Sequence, residues 1–108
     1  MVNQFENFKL KVNKLVNHYN ANNFEYVIQQ INLLLKNQPN NHFILNLLGL
    51  CYQKQGNHNV AKKIFLKVIE LDNNSLTAMN NLANVFKDLD EIKKAEELYK
   101  KILKVNPN

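Results

Sequence analysis

The chain repeats itself at a spacing of 34 residues, and that period restricts what it can fold into more than any other feature. Leu48 recurs as Leu82, Tyr52 as Phe86, Ala61 as Ala95 and Phe65 as Tyr99. Asn46 recurs as Asn80, and Gly49 as another small residue, Ala83. Pro39, Asn73 and Pro107 share one register, and Asn40, Asn74 and Asn108 share the next. Self-similarity at a fixed period of this length marks stacked structural units, each too small to bury its own apolar face. Within a unit the apolar spacing is helical. Ile44, Leu48 and Tyr52 fall on one face, and so do Ala61, Phe65 and the pair Val68-Ile69.

Six helices follow, two per unit: about 5–19 and 24–36, 41–55 and 58–71, and 75–88 and 91–105. The breaks have turn chemistry. Asn22-Asn23, Gln55-Gly56-Asn57 and Leu89-Asp90 separate the two helices of each unit. Pro39-Asn40-Asn41 and Asn73-Asn74-Ser75 separate the units. Asn and Gly tolerate the left-handed backbone that ends a helix, and Asn and Ser cap the next one. Gly49 and Ala61 are expected to face each other where the helices of the second unit cross, with Ala83 and Ala95 doing the same in the third.

The repeated residues carry a family resemblance. Leu45-x2-Leu48-Gly49-x2-Tyr52 followed by Ala61-x3-Phe65 resembles the tetratricopeptide repeat, as does Met79-x2-Leu82-Ala83-x2-Phe86 followed by Ala95-x3-Tyr99 and Pro107. Large apolar residues stand at the family's tryptophan position, and Asn73 replaces its proline in the second unit. The first unit fits in its second half, Val27-x3-Ile31 and then Pro39. In its first half Lys14 and His18 stand where leucine and tyrosine are expected, and Leu15 and Tyr19 supply a similar pair one residue later. That pattern reads as a local register change in an atypical, capping unit. The resemblance implies an all-α fold: a right-handed α-solenoid of three helix-turn-helix repeats, six antiparallel helices in one domain over 1–108, with repeats at about 8–41, 42–75 and 76–108.

Composition agrees. The 108 residues are 45% hydrophobic and contain only two glycines and two prolines, which favours long helices. No stretch approaches the roughly 18 apolar residues of a membrane span, and the polar start, Met1 to Lys14, is no secretory signal. The expectation is a soluble cytoplasmic protein. Cys51 is the only cysteine, so it forms no internal disulfide, and it reads as a small buried apolar residue.

The sequence offers no catalytic constellation. Ser75 falls at a helix start, where capping is its expected job. Two glycines cannot build a phosphate loop. His18, His42 and His58 lack partners at ligand spacing, so no metal or other cofactor is expected. Glu96–Lys100 and Glu97–Lys101 have the i,i+4 spacing of a solvated helix face. The formal charge of +5 comes entirely from lysine. These lysines are spread over all three units. Without arginine there is no bidentate contact to phosphate or guanine, so no specific nucleic-acid role is expected.

What remains is the concave surface of the stack, lined by the first helix of each unit. By spacing, the residues facing it are Val12, Asn13, Val16 and Tyr19, then Phe43, Asn46, Leu47, Leu50, Gln53 and Lys54, then Thr77, Asn80, Asn81, Asn84, Lys87 and Asp88. The expected partner-binding residues are Asn13, Val16, Phe43, Asn46, Leu47, Leu50, Gln53, Asn80, Asn81, Asn84 and Lys87. Phe43, Leu47 and Leu50 supply apolar contact. The asparagines offer a donor and an acceptor each to an extended peptide backbone. The competing reading is that the apolar groups pack between units and the asparagines follow a codon bias.

Two modes known in the family separate on single residues. The basic clamp that holds chaperone C-terminal carboxylates is missing. Asn80-Asn81-Leu82-Ala83-Asn84 is similar to the asparagine-ladder segments of protein O-linked N-acetylglucosamine transferases, but Leu47 interrupts the ladder. The resemblance thus implies a non-catalytic module that binds a protein or peptide. The alternatives are an interaction or targeting arm of a larger enzyme, such as a glycosyltransferase, and a self-associating scaffold. Because the sequence stops at Asn108, where the third unit ends, Leu98, Ile102 and Val105 are expected to form an open apolar stripe. That stripe implies either a fragment of a longer protein or packing on another copy through the C-terminal helix.

Overall fold

Short polar residues start the first helix of each pair. Asn3 Oδ1 accepts from the Glu6 amide (2.8 Å), Asn41 Oδ1 from Phe43 and Ile44 (3.0 and 3.2 Å), and Ser75 Oγ from Ala78 (3.2 Å). Each bond satisfies an amide that the helix leaves unpaired. The computed structural model describes residues 3–107. Its helices are α1 (Gln4–Asn20), α2 (Phe24–Leu35), α3 (His42–Lys54), α4 (His58–Leu71), α5 (Leu76–Asp88) and α6 (Ile92–Val105). No strand occurs among the described residues. Each helix packs chiefly on its neighbours in sequence, giving an elongated α-solenoid of 48 × 28 × 23 Å.

The period is written into the backbone. Asn22, Gly56 and Asp90, each 34 residues apart, have φ of 67°, 82° and 62°. After each of them the chain closes on the helix it has left. The Asn23 amide donates to the His18 carbonyl (2.9 Å), Asn57 to Tyr52 (2.8 Å) and Glu91 to Phe86 (2.7 Å). These are the bonds of a left-handed helix cap. The first unit therefore contains no inserted residue. What shifts is the side-chain pattern. Lys14 is exposed and Leu15 buried, so α1 turns a face about 100° away from the one that α3 uses. Lys11, Lys14 and His18 instead line an outer cleft against α2. The helix begins and ends within one residue of the expected 5–19, and its 17 residues exceed the 13 of α3 and α5.

The close crossing in the second unit holds an aromatic ring. A methyl group on Gly49 would lie 2.5 Å from Cε1 of Phe65, so the glycine makes room for that ring. Ala61 and Phe65 are both fully buried in one cluster with Leu82, Ala83, Val85, Phe86 and Ala95. The equivalent pairs in the other units are Leu15 with Ile31 and Ala83 with Tyr99. Size is traded across one crossing. The bulkier Leu15 replaces a glycine on α1, and the residue opposite is aliphatic rather than aromatic. A second cluster joins Val12 and Leu15 to Val27, Ile31, Ile44, Leu47, Leu48 and Cys51, tying α1 and α2 to α3.

At the far end Leu98 and Ile102 are half-buried and Val105 is exposed. Leu103, absent from the expected stripe, is the most open apolar residue of α6. Glu96, Glu97, Lys100 and Lys101 are all exposed, the solvated face that their spacing implies. Among the described residues Lys94 pairs with Glu91 (3.6 Å), and His58 Nδ1 lies 3.7 Å from Asp88 Oδ2. Exposed helical pairs contribute only tenths of a kcal/mol, so solvation wins easily.

Cys51 is fully buried, and burial pushes its thiol from 9.0 to about 11. An acid whose folded value is raised stays protonated in the native state while the unfolded chain ionises. Its stabilising effect is full below pH 9.0 and is lost as pH rises towards about 11. Native protein at pH 8 is expected to leave Cys51 unmodified by a thiol reagent such as DTNB, with full reaction in denaturant. Rapid modification of the native fold would show the thiol to be accessible.

Candidate functional site

Between α1, α3 and the start of α5 lies a cavity of about 500 Å³. Val16, Tyr19 and Asn20 line it from α1, His42, Phe43, Asn46, Leu47 and Leu50 from α3, and Ser75 and Thr77 from the start of α5. The lining is mostly apolar and holds no lysine or carboxylate. Tyr19 is held protonated above the usual phenol range, first by burial and then by the neighbouring Cys51.

The repeat provides an internal control for which residues the fold requires here. Phe43 is equivalent to Lys9 and Thr77, and all three positions are exposed. An aromatic ring at 60% exposure is therefore a property of this unit and not of the helix packing. Leu50 is equivalent to Val16 and Asn84. It is half-buried and rests partly on the α4–α6 cluster, so it serves both core and cavity. Leu47 is 6% exposed and belongs to the first core cluster, so packing does demand it, and only its edge reaches the cavity. Asn46 Oδ1 is buried and has no hydrogen-bond partner among the described residues. An acceptor so placed is costly unless a donor reaches it.

Of the residues expected in the groove, Val16, Phe43, Asn46, Leu47 and Leu50 come together around this cavity. Asn13, Asn80 and Lys87 are exposed outside it. Gln53 is engaged elsewhere, donating from Nε2 to Asp88 Oδ2 at 3.0 Å. Asn84 accepts from the Tyr99 hydroxyl on α6 at 3.0 Å and does not line the cavity. Asn81 is half-buried with Nδ2 unpartnered. The polar run along α5 therefore does not form one ladder. Asn20, His42 and Ser75 also line the cavity, outside the residues that helical spacing assigns to the groove. Their signal is position, since residues at helix ends can border a groove that runs past them.

Among the described residues no group of three or more His, Cys, Asp or Glu is placed to hold a metal ion. No described helix is long and apolar enough to cross a membrane.

Comparison with known proteins agrees with this architecture. The "Uncharacterized protein ycf37" of Porphyra purpurea is 36% identical over 83 residues, covering 74% of this chain and 48% of that protein. The protein of the same name from Pyropia yezoensis is 35% identical over 65 residues, covering 60% of this chain and 36% of that one. The chain thus spans about half the length, or less, of the curated relatives it matches. In structure it is similar to the Yersinia enterocolitica type III secretion translocator chaperone SycD in its alternative dimer form. The TM-score is 0.87 at 16% identity, covering 98% of this chain and 82% of that one. It is also similar to the first tetratricopeptide domain of Spaghetti (RPAP3) bound to the HSP90 peptide SRMEEVD. There the TM-score is 0.82 at 16% identity, covering 89% of this chain and 76% of that one. The sequence profile of the tetratricopeptide repeat matches residues 41–108, and with that match over more than half its length, the chain belongs to the tetratricopeptide repeat family.

Proposed function

We propose that the chain is a non-catalytic protein–protein interaction module, acting in the cytoplasm or a similar aqueous compartment, that binds an extended, uncharged segment of a partner in the cavity between α1, α3 and α5. The observation that carries this reading is Phe43, an exposed ring over an apolar hollow at a position where the other units place lysine and threonine. Covering such a ring contributes about 1.5–3 kcal/mol. The unpartnered Asn46 Oδ1 beside it can accept from a peptide amide, fixing the direction of the segment. Charge sets the class of partner. The peptide bound by the Spaghetti domain carries three acidic side chains, whereas no lysine lines the cavity here.

Because the relatives extend beyond the matched region, a second reading is that the module is an arm of a longer protein. The groove serves the same purpose in both. Exposed Leu103 and Val105 favour a further contact with a second copy, which light scattering over a range of concentrations tests directly.

The groove itself is tested with an array of short peptides, uncharged with one or two large apolar residues, and with SRMEEVD as the acidic comparison. Wild type is expected to retain members of the uncharged set. Phe43→Ser is expected to weaken them about 10- to 100-fold, with the thermal melt unchanged because the ring is exposed. Equal binding of the uncharged set by wild type and variant, or a preference for SRMEEVD that Phe43→Ser abolishes, would overturn the proposal.

A further inference from the structure

The opposite side of the stack has a different character. α4 and α6 carry eight lysines (Lys62, Lys63, Lys67, Lys93, Lys94, Lys100, Lys101 and Lys104) against three glutamates (Glu70, Glu96 and Glu97). Between these two helices, with α5 as the floor, lies a cleft of about 320 Å³. Leu66, Leu82, Phe86 and Leu98 make its apolar part, and Lys94, Lys101 and Glu97 border it. A shallower hollow continues from Leu66 past Lys63, Lys67 and Glu70.

Leu66 is the residue that the fold does not explain. It is 46% exposed. Its equivalents are Asn32 and Lys100, also exposed, so the position faces water in every unit and only here is apolar. Lys67 and Lys101 are themselves repeat equivalents, and both adjoin the Leu66 surface.

We propose that this convex cleft is a second docking site, separate from the concave groove, which takes an acidic protein segment carrying an apolar side chain. The apolar side chain would cover Leu66 and enter the cleft over Leu98, and its flanking carboxylates would meet Lys67 and Lys101, Lys94 being already paired with Glu91 at 3.6 Å. Glu97 and Glu70 limit how many carboxylates fit, so charge alone is insufficient and the apolar anchor is required. A flat anionic membrane suits the cleft less well, because Leu82, Phe86 and Leu98 are recessed and Leu66 is the one exposed apolar residue lining it. Nucleic acid also suits it less well. The chain has no arginine, and Phe86 is only 9% exposed with Lys94 Nζ 5.6 Å above its ring, so no aromatic face is open for base stacking.

Fluorescence anisotropy with labelled synthetic peptides tests the proposal on the full chain. One peptide mixes Glu with Leu, one is poly-Glu, and one mixes Ser with Leu. The Glu/Leu peptide is expected to bind most tightly. Leu66→Ser and the double variant Lys67→Glu/Lys101→Glu are each expected to weaken it about tenfold, with unchanged helical circular dichroism. Phe43→Ser is expected to leave it unaffected, which separates this site from the groove. Failure of the Glu/Leu peptide to bind, equal binding of poly-Glu, or loss through Phe43→Ser would each overturn the assignment. So would tighter binding of phosphatidylserine vesicles or duplex DNA that is lost in the same lysine variant.

Discussion

Replacing Phe65 with alanine is expected to lower the stability of the chain by about 3–5 kcal/mol. Phe65 is the largest fully buried side chain, and its ring fills the space that Gly49 leaves open on α3. Truncation would remove the ring from both sides of a crossing. Neither Gly49 nor Ala61 has side-chain atoms able to relax into the gap. Urea unfolding measures the effect as a lower midpoint. A loss below about 1 kcal/mol would show that the crossing closes without the ring.

The converse change at the neighbouring position acts through crowding. Ala61→Leu is expected to cost about 1–3 kcal/mol. Ala61 has no exposed surface and shares its cluster with residues of α5 and α6, so added methylenes must push against two units at once. Ala95→Leu should fall at the lower end of that range. Ala95 is equally buried, but α6 has an open outer side towards which the helix can shift. Thermal melts of the two variants side by side give the comparison. If neither melt moves, the pairing of Ala61 with Ala95 as equivalent crossing positions is wrong.

The helices were legible because their boundaries are chemical. Asn22, Gly56 and Asp90 announce left-handed turns, and Asn41 and Ser75 announce caps, all through local bonding. Side-chain partnerships across helices were less legible. A helical wheel shows that Asn84 and Gln53 point roughly towards the groove. It does not show that the Tyr99 hydroxyl and the Asp88 carboxylate lie within reach and take them. For Leu47 the sequence leaves groove and packing between units as alternatives, and its burial, which depends on how closely α1 approaches α3, decides for packing. Gly49 is legible as a close approach, but the Phe65 ring that fills it is not, because spacing alone cannot say how large a neighbour a glycine makes room for. Asn108, the last member of the asparagine register, lies outside the described residues.

That each helix packs chiefly on its sequence neighbours has a kinetic consequence. Almost every stabilising contact closes a short loop, so little chain entropy is spent before a contact forms. Structure can start at the tight α3–α4 pair and spread to either side, with no obligatory long-range step. Opening should follow the reverse path. α1 packs more lightly on its neighbour α2 than α6 does on α5, so of the two end helices it is the one that detaches at lower cost. Detachment of α1 would dismantle one wall of the cavity while the other two, on α3 and α5, stay in place.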